Sequence, residues 1–150
     1  MSSLKERVNS DLTDAMKKKE TLRLGTIRLL KAEITKFEMS GKTKKEAEDD
    51  DIISVISRMI KQRRDSAEQF RKGDREDMAK NEEEEIKILQ DYLPPQLSIE
   101  DLEKIVKETI SELGANDKST MGRVMGAVMG KVKGQADGNA VKDVVMKMLT

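Results

Sequence analysis

The residues of this 150-residue chain that could do chemistry are carboxylates, cations and glycines. Cysteine and histidine are absent. That removes a thiol nucleophile, Cys-ligated zinc, disulfides and the usual general base at neutral pH. Two acidic runs are the obvious alternatives, Asp49-Asp50-Asp51 and Glu82-Glu83-Glu84-Glu85. Consecutive residues on a helix point in different directions. Neither run therefore converges as an acid–base pair or as an oxygen cage for magnesium. Asp49–Asp51 reads as an electrostatically favoured helix start. Glu82–Glu85 reads as a solvated face, with Glu83 spaced to pair with Lys87. Lys61, Arg63, Arg64 and Arg71 make a basic stripe, with Asp65 and Glu68 placed to pair within the same helix. No local motif sets a serine beside a lysine for nucleophilic catalysis. The residues themselves propose no catalytic centre, no cofactor and no metal.

The glycines are more informative. Gly122, Gly126, Gly130, Gly134 and Gly138 stand four residues apart, beside the rows Met121, Met125, Met129 and Val124, Val128, Val132. Four residues advance roughly 400° around an α-helix, so each row climbs one side. The Met and Val rows form an apolar face. Arg123, Ala127 and Lys131 fall opposite, and the glycines lie between, on the Met side. Each glycine inside a helix costs about 1 kcal/mol relative to alanine. A transmembrane small-residue seam is ruled out by Arg123, Lys131 and Lys133, and by the lack of a run of some 18 apolar residues. Two readings remain. Either another helix packs closely over bare backbone, or a phosphate-bearing ligand approaches it beside Arg123 and Lys131. Gly134-Gln-Ala-Asp-Gly138 reads as a turn in which Gly134 and Gly138 supply positive φ, with Asp137 or Asn139 capping a last helix.

Helical spacing runs through the whole chain. Leu4, Val8, Leu12 and Ala15 mark a first helix. Leu22, Ile27, Leu30, Ile34 and Phe37 mark a second, with Thr21 as its cap. Ser40–Lys45 is a loop without the strand and first glycine of a phosphate-binding P-loop. Thr43-Lys-Lys-Glu46 has the form of a capping box. Ile52 to Phe70 gives a long third helix, and Gly73-Asp74 a break with Asp74 as the next cap. Met78 to Tyr92 gives a fourth helix. Pro94-Pro95 marks a domain boundary. Ser98 then caps a helix carrying Leu102, Ile105, Val106, Ile110 and Leu113, which Gly114 ends. Ser119 or Thr120 starts the glycine helix. The expected fold is all-α. A four-helix, bundle-like domain occupies residues 1–93, and a small three-helix domain residues 96–150.

Several of these segments together resemble the YqeY-like family, and with it the tail domain of the B subunit of the tRNA-dependent glutamyl/aspartyl amidotransferase. They are Tyr92-Leu-Pro-Pro-Gln-Leu97, Met121-Gly-Arg-Val-Met125, Lys131-Val-Lys-Gly134 and Ala136-Asp-Gly138. Arg28-Leu-Leu-Lys-Ala-Glu33 and Arg63-Arg-Asp-Ser66 extend the likeness to the stand-alone YqeY-like proteins, so it covers essentially the whole chain. Gly130 departs from the family pattern, which carries proline there, and leaves the end of the glycine helix open by a turn. The resemblance implies two helical domains and tRNA contact through the tail. It also implies a carbon–nitrogen ligase context, with glutamine as amido donor, without supplying a catalytic centre.

Charge sharpens these expectations. The chain holds 29 Lys+Arg and 29 Asp+Glu, which argues against indiscriminate nucleic-acid binding, DNA included. Residues 1–45 hold 12 cations against 6 anions, 46–93 hold 9 against 15, and 115–150 hold 6 against 3. The two ends are basic and the middle acidic, which would steer where an RNA lands. At 2% aromatics, stacking on splayed bases is not the mode. The leading expectation is an accessory tRNA-binding module linked to tRNA-dependent amidation. Arg123, Lys131, Lys133 and Lys142 would contact phosphates, with Gly126 and Gly134 allowing close approach. A module docking on a synthetase or amidotransferase subunit is the alternative, and a glutamine-dependent carbon–nitrogen ligase is a third, by resemblance alone. No membrane association is expected, and the lack of a signal peptide makes the cytoplasm the default location.

Overall fold

The computed structural model describes residues 3–41 and 45–149. Its regular elements, among the described residues, are α-helices and one 3-10 turn, without strand. The all-α expectation holds. The helices are α1 (Leu4–Lys18), α2 (Thr21–Met39), α3 (Asp49–Lys72), α4 (Glu76–Gln90), α5 (Ile99–Leu113), α6 (Met121–Lys131) and α7 (Gly138–Met148), with the 3-10 turn at Lys118–Thr120. The chain divides into two compact units, Met1–Leu93 with α1–α4 and Pro94–Thr150 with α5–α7.

The first unit is organised by α3 on α4 and α1 on α2, with α2 also touching α3 and α4. Its core gathers Val8, Ala15, Ile27, Leu30, Ile52, Ile56, Met59, Leu89 and Tyr92. Each fully buried Leu or Ile stabilises the fold by about 1.5–3 kcal/mol. Ser3 starts α1 by accepting from the Glu6 N–H, and Glu6 returns the bond to the Ser3 N–H. The next free amide, that of Leu4, donates to Asp49 Oδ1 at 2.9 Å. Asp49 thus ties the start of α3 to the start of α1. Glu38 fixes the same corner. It accepts from Lys5 Nζ at 2.7 Å and from the Ala47 N–H at 2.8 Å. These two bonds, Lys5's first, hold its carboxyl below the ordinary glutamate range.

Three expected helix starts move. Thr21 is the first residue of α2, and the cap position falls on Glu20, which makes no capping side-chain bond. Thr43 lies outside the described residues. The described start of α3 is at Asp49, where Asp51 accepts from the Glu48 N–H at 3.0 Å. Asp74 adopts a left-handed φ of 59° inside the turn, and Arg75 takes the cap position of α4.

Ion pairs of the first unit run both along helices, as Lys72 with Glu68, and between them. Arg63 Nε donates to Glu85 at 2.8 Å, and Arg71 binds both Glu76 and Glu83. Lys87 pairs with Glu84, not Glu83. The basic stripe of α3 and the acidic run of α4 are therefore two sides of one seam. Glu82 has its carboxyl raised by burial and by neighbouring Glu85.

Candidate nucleic-acid interface

The second unit is built on valine. Val124, Val128 and Val132 are buried against Leu102, Val106, Val141, Val144 and Val145. Ser98 caps α5 by accepting from the Asp101 N–H at 3.1 Å, and Gly114 ends it at φ 62°. Asp117 accepts from the Ser119 N–H and turns the chain into α6. Met121, Met125 and Met129 sit half-buried at the edge of the valine row.

Gly122, Gly126 and Gly130 are exposed, and a Cβ added at any of them meets nothing within 4 Å. The reading in which another helix covers the glycines is overturned. The physical reason is rotational. The valine row points inward, and the glycine row lies almost opposite it, where no element among the described residues packs. α6 carries a strip of bare backbone on its outer side. It ends at Lys131, one residue past Gly130.

The following turn is pinned from two sides. Gly134 takes φ 77°, a left-handed value that glycine adopts without strain. Its carbonyl accepts from the Gln96 side-chain amide at 2.7 Å, and the Gln135 carbonyl accepts from the Leu97 N–H at 2.8 Å. Gln96 and Leu97 thus dock on the turn that follows α6. Gly138 is the first residue of α7 and lacks the positive φ expected of it. Asp137 caps α7 by accepting from the Ala140 N–H at 2.9 Å, which fills that helix start with a carboxylate and leaves no anion site there.

The four expected phosphate contacts divide into two pairs. Arg123 donates to the Leu113 carbonyl at 3.0 Å, at the negative end of the α5 dipole. Lys131 Nζ donates to Thr109 Oγ1 at 3.0 Å and to Glu112 at 2.8 Å. Both side chains clamp α6 onto the last turn of α5. Lys133 and Lys142 are exposed and hold no partner among the described residues. Thr109 and Gln96 are residues of this region that sequence reasoning missed. Thr109 is fully buried and donates to the Ile105 carbonyl while accepting from Lys131. Its only sequence signal is a hydroxyl on the apolar stripe of α5.

The first unit offers an open groove of about 650 Å³ between α3 and α4, over Ala67 and Ile86. Of its four cations, Arg71, Lys72 and Lys87 are matched by Glu83, Glu68 and Glu84, and Arg64 is not free either, so it carries less free positive charge than the α6–α7 surface. No helix among the described residues is long and apolar enough to cross a membrane.

Comparison with known proteins places the chain in a family. Residues 5–149 match the family model described as Yqey-like protein. The chain is 34% identical over 123 residues to Altered inheritance of mitochondria protein 41, mitochondrial, of Pyrenophora tritici-repentis, covering 79% of this chain and 67% of that protein. It is 34% identical over 122 residues to the protein of the same name in Clavispora lusitaniae, covering 80% and 68%. An uncharacterised protein of Schizosaccharomyces pombe is 33% identical over 97 residues, covering 64% and 76%. The first two relatives are named as mitochondrial, which overturns the expectation of a cytoplasmic protein. That expectation rested on the lack of a secretory signal, which is silent on import into an organelle. By the family model and by these relatives, the chain belongs to the YqeY-like family.

Proposed function

We propose that the second unit is an accessory tRNA-binding module linked to tRNA-dependent amidation, and that RNA lies across the outer side of α6. The observation that carries this reading is the open glycine strip beside unpaired Lys133. Peptide N–H groups in mid-helix are consumed by the helix, so Gly126 offers no donor to a phosphate. What a bare helix side offers is its carbonyl edge, whose second lone pairs can accept from ribose 2′-hydroxyls. Lys133 and Lys142 would then neutralise phosphates, and Gly126 and Gly134 let the sugar backbone come close. Arg123 and Lys131 act first as clamps that present α6. Phosphate and ribose contacts recognise shape more than sequence, in keeping with two phenylalanines and one tyrosine in the whole chain.

The test is filter binding of transfer RNA across several salt concentrations. For these two phosphate contacts the log–log slope is roughly −1.4 to −1.8. Lys133→Ala with Lys142→Ala should weaken all tRNAs alike and flatten the slope by about 1.5. Gly126→Leu should weaken binding and leave the slope nearly unchanged, because it blocks approach without removing charge. Absence of salt-dependent binding in the wild type, or equal binding by these variants, rejects the proposal.

A further inference from the structure

One side of α2 has no partner among the described residues. Leu22, Gly25, Leu29, Ala32, Lys36 and Met39 recur at alternating steps of three and four, and all six are exposed. Leu29 is 50% exposed and Met39 60%. The opposite side of the same helix buries Ile27, Leu30 and Ile34. The three–four step is the a/d seam of two helices wound around each other. At 1.5 Å per residue the seam runs roughly 26 Å, about two and a half heptads. A Cβ added at Gly25 meets nothing within 4 Å, so a second helix has room to come close there.

Charge identifies the occupant. The carboxylates of α2 are already engaged. Glu33 accepts from Arg58 at 3.3 Å, and Glu38 from Lys5 at 2.7 Å. Glu20, just ahead of the helix, lies 3.6 Å from Arg23. Lys36 within the seam and Arg28 beside it hold no partner among the described residues. A second copy would bring these cations against their own kind with no free carboxylate to offset them, and charges flanking a seam decide its partner. RNA would satisfy the cations and leave Leu22, Leu29 and Met39 in water. We propose that this face docks an acidic amphipathic helix of a partner protein, with apolar residues at heptad spacing and Glu or Asp along its flanks.

The experiment uses the full chain and a labelled 21-residue helical peptide with Leu at a and d and Glu at e and g, read by fluorescence anisotropy. A matched peptide with Lys at e and g is the control. The acidic peptide should bind and the basic one should not. Leu29→Asp should reduce affinity at least tenfold with circular dichroism unchanged, since Leu29 supports no core. Arg28→Glu with Lys36→Glu should reverse the preference between the two peptides. Failure of the acidic peptide to bind, or a preference unmoved by the charge reversal, overturns the proposal. So does sedimentation showing that this face pairs with a second copy, or loss of tRNA affinity on reversing these charges. All these substitutions lie in the first unit, so their outcome is separable from that of the RNA test on residues 94–150.

Discussion

The Tyr92 hydroxyl donates a 2.6 Å hydrogen bond to Asp11 Oδ2, joining the end of α4 to the middle of α1 across 81 residues. Arg7 lies over the Tyr92 ring at 4.6 Å and donates to the Asp91 carbonyl, and Arg23 approaches Asp11 at 3.6 Å. The single tyrosine of the chain therefore closes the first unit. Replacing it with phenylalanine keeps the packing and removes the bond. Tyr92→Phe should cost roughly 1–3 kcal/mol in urea unfolding at neutral pH. Burial, and then Asp11, push the Tyr92 phenol above the ordinary tyrosine value. A group raised in the folded state contributes stability fully below its unfolded pKa, about 10 for tyrosine. That contribution is lost as pH rises further. The gap between wild type and Tyr92→Phe should accordingly shrink above pH ~10, and a constant gap up to pH 11 would show that the phenol does not titrate as described.

The open glycine strip makes a prediction opposite to the usual one for helix glycines that are packed. With nothing within 4 Å of an added Cβ, alanine gains helix propensity and loses no contact. Gly122→Ala and Gly126→Ala should each stabilise the second unit by about 1 kcal/mol, read as a shift in urea midpoint at constant m-value. A loss of stability in either variant would mean that some element does cover α6.

We also propose that the second unit folds alone. Its core draws on α5, α6 and α7 only, and Gln96 and Leu97 bond within it. Limited proteolysis should cut between residues 92 and 98. A fragment of residues 94–150 should keep helical circular dichroism and melt cooperatively. A fragment that is unstructured, or that melts without a transition, refutes autonomy.

The parts legible in the sequence are those set by local chemistry. Ser98, Gly114 and Asp137 end or start helices where their side chains or φ preferences require, and apolar spacing traced the seven helices of the described residues. The face of a helix that meets a neighbour is a different kind of information. Three rows at spacing four define the sides of α6, yet only its docking through Val124, Val128 and Val132 shows that the glycines point outward. Arg63 with Glu85 and Arg71 with Glu83 depend on the register of α3 against α4, which neither helix encodes by itself. Glu20 and Arg75 hold cap positions that the better-suited Thr21 and Asp74 were expected to take. The tertiary turn geometry, with Lys19 and Asp74 at positive φ, overrides local capping preference there.

The bare side of α6 also bears on how the second unit breathes. Peptide groups roofed by side chains exchange their hydrogens only when the surrounding structure opens. On the glycine side, water already stands against the outward peptide groups, and each glycine lowers the cost of leaving the helical state. Local opening of α6 should therefore cost less free energy than it would with alanine in place of these glycines. Whatever settles on that side would register as slowed deuterium uptake along residues 121–131, a signal that needs no knowledge of the ligand's chemical nature.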